Sequence, residues 1–516
     1  MTMETVRFRA PPGTGFTPLG EHPVVRAALA GKPRISERTE LCFDTPDLRL
    51  WRSGILVTLQ RTGSKWHGLL TQTQDGAETV REWEGGHDER PDWSAFKRLL
   101  PEGVLEGFKS KSLEPLLTIE VREERWRLEF PDHSRITLRE LRGHLLRAGQ
   151  VVEPIHEVVL EGSGGTPLRF MQTALAVGRH CSATMEPLTP VARGLARLDP
   201  SPLAPTGWSS LPALPGERVI QGLTRAGAAQ VLRLAQQLAP LLYGSEELRL
   251  QAMTQMDQAI SELRRLIEWF GELLPELLRR DMESELHWLS GALSQGCPES
   301  GLAREVLPRM CARFPDHPRL AELMRQAQID LNRSVEQGVA AVNSFRFTRL
   351  FLGFAIWLSG EEGLKAAMME SDASVRERLA APMEGMGREI LRRVFRPLHD
   401  AGKKIEGRAL LPEELSAWLS ATESMDQASE WFAAMPGERK GGAGRQPIAE
   451  LIQALRRMNS LEAERQHWQR LVDPESGEPV IFLFQGWQGA RLDAAWLTLQ
   501  QTWESALTAS VPWVRD

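Results

Sequence analysis

Apolar and polar residues alternate over much of the first two hundred positions, and apolar residues recur at helical spacing beyond them. Thr5 to Arg9 alternates, as do Ile55-Val57-Leu59, Ile119-Val121 and Trp126-Leu128-Phe130. Ile136-Leu138 and Ile155 to Glu161 add two further strands. Turn signals separate them at Thr45-Pro46-Asp47, Asp75-Gly76, Pro131-Asp132 and Gly162-Ser163-Gly164-Gly165. Short helices are expected around Val24 to Ala30, Trp93 to Leu100 and Pro167 to Val177. Many short strands in one domain predict an antiparallel barrel or sandwich with helices packed outside.

Between Asp199 and Gly216 the composition shifts to Pro, Ser, Gly and Ala; Pro200, Pro202, Pro205, Pro212 and Pro215 make a stiff linker. Beyond it the period becomes 3.6. Leu248, Ala252, Met256, Ile260, Leu263, Ile267 and Phe270 form one stripe. Leu451, Leu455, Met458 and Leu461 form another, and Leu492, Trp496, Leu499 and Trp503 a third. The expected class is α+β: a β-barrel domain over 1–198, a linker over 199–216, and over 217–516 roughly eight to ten helices in one or two bundles.

Composition narrows the function classes. With 62 Lys and Arg against 68 Asp and Glu, the formal net charge is −6, which argues against a broad polyanion-binding surface. The longest strongly apolar run, Leu350 to Leu358, falls far short of the ~20 residues of a spanning helix. No charged-then-apolar signal opens the chain. Cys42, Cys181, Cys297 and Cys311 are widely spaced and include no CxxC, so neither a disulfide framework nor a zinc site is expected. A soluble cytoplasmic protein follows, with no nucleic-acid or membrane partner.

Generic catalytic motifs are absent: there is no P-loop, no GxGxxG after a strand, no HExxH and no GxSxG. Gly162 to Gly165 reads as an ordinary turn. Arg439-Lys440 before Gly441-Gly442-Ala443-Gly444-Arg445 could meet a phosphate, although a solvated interhelix loop is the commoner use. His156 and Glu157 are strand neighbours and face opposite ways, so they cannot share a metal. Most of the 16 tryptophans sit at helical spacing, as core residues do; an aromatic interaction surface is the alternative.

One stretch is more specific. Phe43-Asp44-Thr45-Pro46-Asp47-Leu48-Arg49-Leu50, followed by Gly54-Ile55-Leu56-Val57-Thr58-Leu59, resembles the "YFDTPDLRL…G…LRLR" segment of the CYTH domain, the triphosphate tunnel family. Arg81-Glu82-Trp83-Glu84, Arg125-Trp126-Arg127-Leu128, Glu157 to Glu161 and Ala192-Arg193-Gly194 follow in that family's order. The helical half resembles the CHAD domain, which commonly follows CYTH in bacterial inorganic triphosphatases. Thr348-Arg349-Leu350 leading into Trp357-Leu358 is similar to its "RLLLALAAWL" helix, and Pro512-Trp513 to its terminal "PFW". The resemblance implies a triphosphate-tunnel barrel of eight strands followed by a CHAD-type bundle. Inward Lys and Arg would hold the triphosphate, and inward carboxylates would hold Mg²⁺ or Mn²⁺ to activate water. A triphosphate carries about four negative charges, so it needs several cations and a metal in one cavity.

At those positions this sequence departs from the family. The opening ExExK aligns with Met3-Glu4-Thr5-Val6-Arg7-Phe8, so both glutamates are lost and Arg7 remains; a slip turning Glu4 inward would turn Arg7 outward. The LRLR pair becomes Thr58 and Gln60, the strand lysine Thr73, and the late lysine Pro190. Around Val121 one basic position is Glu120 and the other survives as Arg122. Glu157 and Glu161 persist with Val159 between them. The residual candidates are Arg7 and Arg122 for substrate and Glu82, Glu157 and Glu161 for metal, with Arg139 and Arg142 as unaligned arginines able to restore phosphate binding. At ~1.5–3 kcal/mol per charged hydrogen bond, losing several weakens triphosphate binding by orders of magnitude. The "HxxRxxxRR"-type helix of CHAD, which would line a polyphosphate channel, reads Thr254, Asp257, Ser261 and Glu262, and its symmetry mate Ser416, Glu423, Ser424 and Asp426. Carboxylates there repel a polyanion.

The expectation is therefore a non-catalytic CYTH–CHAD protein, a pseudoenzyme with a protein-binding or scaffold role and no resident cofactor. The alternatives are a working inorganic triphosphatase using Mg²⁺ or Mn²⁺ through Glu82, Arg122, Glu157 and Glu161 beside Arg7, and a polyphosphate-binding protein.

Overall fold

A computed structural model of the chain describes all residues outside 1–4, 11–15, 64, 75–76, 85–90, 92–97, 99, 101–112, 205–211, 295–300, 361, 365–371, 404–410, 434–441, 473–478 and 509–516. The Asp75-Gly76 turn, most of Trp93 to Leu100, Met3, Glu4, Pro512-Trp513 and the start of the glycine-rich stretch at Arg439 lie outside the described residues.

The strands are β1 (Thr5–Arg9), β2 (Arg34–Asp44), β3 (Ile55–Thr62), β4 (Lys65–Gln74), β5 (Ala77–Glu84), β6 (Glu114–Glu129), β7 (Arg135–Arg147), β8 (Gln150–Ser163) and β9 (Thr184–Met185). Helices α1 (Pro23–Ala28), α2 (Arg49–Arg52), α3 (Pro167–Cys181) and α4 (Pro190–Leu198) interrupt or follow them. The remainder is helical: α5 (Val219–Tyr243), α6 (Glu246–Phe270), α7 (Glu276–Ser294), α8 (Leu307–Arg313), α9 (Pro318–Val342), α10 (Phe345–Trp357), α11 (Ala373–Ala380), α12 (Met383–Gly402), α13 (Pro412–Trp431), α14 (Gly442–Leu471) and α15 (Pro479–Thr508). This is the expected α+β class, an N-terminal antiparallel barrel-type sheet before an all-α half. The described helical half holds eleven helices; short α8 and α11 lack a full apolar stripe in the sequence.

The nine strands form one sheet in the order β5-β4-β3-β2-β6-β7-β8-β1-β9, and among the described residues no pairing joins β5 to β9. Cross-strand partners share a face, so the register sorts every side chain. On the inner face Cys42, Leu117, Ile119, Val121, Leu141, Leu145, Ile155 and Val159 are buried beneath Val191, Ala192, Leu195 and Ala196 of α4. Leu48 and Trp51 join them from the α2 corner. Gly194 lets the helix sit close: a Cβ there would lie 2.6 Å from a Leu117 methyl and 3.0 Å from a Leu145 methyl, and these buried side chains would have to shift. On the opposite face Phe8 packs against α3, and a second apolar cluster gathers Phe43, Leu50, Ile55, Val57, Leu59, Trp66 and Leu70.

The Asp-Thr-Pro-Asp segment makes the corner between β2 and β3. Buried Asp44 accepts hydrogen bonds from the backbone N–H groups of Thr45 (2.7 Å), Leu50 (2.9 Å) and Trp51 (2.9 Å), and Thr45 Oγ1 accepts from Arg49 N at 3.0 Å. Those of Arg49, Leu50 and Trp51 are N–H groups that the short helix α2 leaves without internal partners. Burial pushes the Asp44 carboxyl up while the three N–H donors oppose that shift. Trp51 then donates its indole N–H to the Asp199 carbonyl at 2.7 Å, tying the corner to the end of α4.

Contacts divide the chain into two compact units. One comprises Met1–Gly207, Gln230–Ala259 and Val339–Gly363; the other comprises Trp208–Ala229, Ile260–Gly338 and Leu364–Asp516. In the second, the tryptophans are core residues: Trp269 stacks on Trp431 at 6.0 Å, Trp468 on Phe484 at 4.0 Å, and Trp418 meets Trp503 edge-on at 5.4 Å. Among the described residues no single helix is long and apolar enough to cross a membrane.

Candidate anion site on the inner face of the sheet

Strand pairing sets which charged residues meet. Arg7 on β1 lies opposite Val159, which lies opposite Arg139, which lies opposite Arg125. Glu157 lies opposite Leu141, and Leu141 opposite Glu123. Arg38 lies opposite Val121, while Glu40 faces both Ile119 and Gln60. All of them therefore share the face that buries Ile119, Val121 and Val159. Thr58 is on that face too, opposite Cys42.

What results is a ring of mutual ion pairs. Arg7 Nη1 donates to Glu157 Oε2 at 3.0 Å. Arg38 donates to Glu40, and its Nη1 reaches Glu123 Oε2 at 3.5 Å. Arg125 holds Glu123 Oε1 through Nε at 2.8 Å and Nη2 at 2.5 Å. Arg139 donates to Glu161 and lies 3.7 Å from Glu123. Gln60 donates to Glu40 at 3.2 Å. Four guanidinium groups thus meet four carboxylates, and the formal charge of the set is zero. Burial pulls the Arg139 guanidinium down, Glu161 and Glu123 oppose that, and nearby Arg38 and Arg7 reinforce it.

Helix α4 supplies a second, deeper cluster. Arg193 is 0% exposed and lies 2.6 Å from Glu157, 3.0 Å from Glu153 and 3.4 Å from Glu186. Arg9 and Arg197 complete the surroundings of Glu153 at 3.0 and 2.6 Å. Tyr243, the one tyrosine of the sequence, donates its hydroxyl to Glu186 at 2.5 Å. Burial disfavours the charged form of Arg193, but Glu157, Glu186 and Glu153 outweigh it and raise the guanidinium above its ordinary value. Burial pushes the Glu186 carboxyl up, against Arg193 and the Tyr243 hydroxyl.

The residues expected from the sequence divide between positions. Arg7, Glu157 and Glu161 share the inner face. Arg122 does not: it is exposed on the opposite face, opposite Glu37 on β2 and Arg142 on β7. Glu120 is on that outer face as well. The strand parity puts Val121, Glu123 and Arg125 inward instead. Glu82 is also on the inner face by register, opposite Leu69, which lies opposite Thr58, but it is exposed on β5, with five strands between it and β8 in the sheet order. Of the two unaligned arginines, Arg139 points inward and is taken up by Glu161; Arg142 sits outside, 2.6 Å from Glu140. Arg38, Glu40, Glu123 and Arg125 were not among the sequence candidates. Counting outward by twos from Ile119 and Val121 would have found Glu123 and Arg125.

Mg²⁺ or Mn²⁺, the metal the resemblance implies, does not fit these carboxylates. Such ions need several oxygen ligands free to turn toward them. Here one oxygen of Glu157 faces Arg7 and the other Arg193, while Glu161 faces Arg139. Among the described residues no three His, Cys, Asp or Glu side chains are grouped so as to hold a metal ion.

The helical positions show the same substitution. Glu423, at an expected basic position, is held by Arg265 at 2.6 Å and by Arg456 at 2.8 Å. Arg265 also donates to Gln427 at 2.9 Å. Ser424 is buried and accepts the Trp269 indole N–H at 3.1 Å, while the Thr254 hydroxyl folds back onto the Leu250 carbonyl.

Residues 232–469 match the CHAD domain family. Among solved structures, the CHAD domain from the plant Ricinus communis aligns with a TM-score of 0.46 and 18% identity, covering 57% of this chain and 96% of that one. PptA from Streptomyces chartreusis aligns at 0.41 and 15%, covering 56% and 100%. HpAC1 from Hippeastrum, described as having a dominant triphosphatase activity, aligns at 0.24 and 12%, covering 36% and 92%. No curated protein matches the chain.

Proposed function

We propose, from the match of residues 232–469 to the CHAD domain family, that the chain is a non-catalytic CYTH–CHAD protein. Its tunnel cations are committed to its own carboxylates, and its role is to bind a protein rather than to hydrolyse a phosphoanhydride. The observation that carries this is the pairing of Arg7, Arg38, Arg125 and Arg139 with Glu157, Glu40, Glu123 and Glu161.

An entering triphosphate would have to displace those glutamates. Each displaced carboxylate would be left beside a buried apolar wall and without its cation, at a cost of about 3–5 kcal/mol where the pair is buried. The incoming anion would regain part of that, but it would bring about four charges to a set whose sum is already zero. With none of these four carboxylates free for a metal, nothing in the set generates hydroxide at neutral pH.

Two apolar residues of α15 are left exposed, Phe482 at 66% and Leu497 at 59%, too far apart along the helix to form one patch. The test of non-catalysis is hydrolysis of inorganic triphosphate by the purified full chain with Mg²⁺ or Mn²⁺, from neutral to alkaline pH. No turnover above the protein-free control is expected. Turnover that vanishes in Glu157→Gln protein would overturn the reading.

A further inference from the structure

Away from the inner face, the first compact unit contains a cavity that the proposed function does not use. It has a volume of about 550 Å³ and opens between the start of α1, the C-terminal half of α3, and α10. Its walls are mainly apolar, with Leu175 and Ala176 from α3 and Ile356 from α10. Its polar groups are His22, Gln172, Arg179 and His180, and no acidic residue lines it. A mainly apolar pocket of roughly 300–1,000 Å³ with a few convergent polar groups is the usual form of a small-molecule site.

The polar side is incompletely satisfied. The rings of His22 and His180 meet edge to face with centroids 4.7 Å apart. The Nδ1 atom of His22 is buried and has no hydrogen-bond partner among the described residues. That atom is turned away from the opening, so the groups left to meet an anionic head are the Arg179 guanidinium and the ring edges of the two histidines. Arg179 lies exposed at the rim, where its planar fork can take a carboxylate through two parallel hydrogen bonds.

We propose that this cavity binds a free medium-chain monocarboxylate, its tail against Leu175, Ala176 and Ile356 and its carboxylate at Arg179 and the His22–His180 pair. Charge complementarity sets the choice of occupant. A wall of one positive residue and two imidazoles, without an acid, favours an anionic head over a neutral or cationic one.

The probe is octanoate, titrated calorimetrically into the full-length chain below its micellar concentration, with octylamine as the cation of equal chain length. Saturable one-to-one binding of octanoate is expected, with no matching response to octylamine. Arg179→Glu should weaken octanoate at least about tenfold, the lower end for a hydrogen bond to a charged group. Ala176→Trp, which fills the chamber, should abolish binding. Circular dichroism of both variants checks that the fold is kept; Arg179 is exposed, so its variant carries the test alone if Ala176→Trp perturbs the helix. Absence of saturable binding, equal binding of octylamine, or octanoate affinity unchanged in Arg179→Glu would each overturn the proposal. The first of these would leave the cavity to an apolar side chain of a protein partner.

Discussion

Arg193 shows most clearly what a single residue does here. Its guanidinium is fully buried and answers three carboxylates, from Glu153, Glu157 and Glu186. Arg193→Leu would leave those groups buried without their cation, and a loss of about 3–5 kcal/mol is expected in urea unfolding, as for other broken buried pairs. A change below about 1 kcal/mol would show that the cluster is wetter than its burial indicates. On the outer face, Glu140 offers a pH test. Burial raises its carboxyl, but hydrogen bonds from His156 and Arg142 outweigh burial and hold it below the ordinary 4.5. A depressed acid stabilises the fold above its unfolded-state pKa and loses that contribution as pH falls through the folded value. Wild type should therefore melt higher than Glu140→Gln at pH 6, and the gap should narrow below about pH 4. A gap that widens on acidification would contradict the assignment.

At the scale of elements, the long strands explain what could be read beforehand and what could not. β6 buries Leu117, Ile119 and Val121 on the inner face and then Trp126 and Leu128 on the outer one. The apolar parity switches mid-strand, so the sequence reads as two strands, and Arg122 is assigned to the face that Val121 occupies. β2 was not legible as a strand at all. Its first half carries Arg34, Ser36, Arg38 and Glu40 on one side and Ile35, Glu37 and Thr39 on the other, so a lone Ile35 is too little apolar alternation to detect. The inward places of Arg7, Thr58, Gln60, Glu157 and Glu161 were legible, because the family-like segments fix their register. Ion pairing across strands was not, since it depends on which strands become neighbours. Two element-level tests follow. Gly194→Ala pushes a Cβ into Leu117 and Leu145, and should cost about 1–3 kcal/mol with the rise in unfolding rate expected of an overpacked helix–sheet contact. Asp44→Ala removes the acceptor of three backbone N–H groups at α2; a loss of at least ~1–2 kcal/mol and faster amide exchange at Leu50 and Trp51 are expected. Unchanged exchange there would mean that the Asp-Thr-Pro-Asp corner does not depend on its carboxylate.

Across the whole molecule, the net charge of −6 is matched by what each half does with its basic residues. In the sheet, arginines are answered by glutamates on the same or a neighbouring strand; in the helices, Arg265 and Arg456 are answered by Glu423. The apolar cores around both sets are intact, as the α4 contact and the tryptophan pairs of the helical half show. On the proposed reading, such a framework keeps its shape while its own carboxylates occupy the cations a polyanion would need. Calorimetric titration of inorganic triphosphate into wild-type protein and into Glu123→Gln/Glu161→Gln protein tests that claim most directly. No saturable binding is expected for wild type, and measurable affinity should emerge in the double variant, where Arg38, Arg125 and Arg139 have lost carboxylate partners. Tight binding by wild type, unimproved or weakened by the two substitutions, would contradict it.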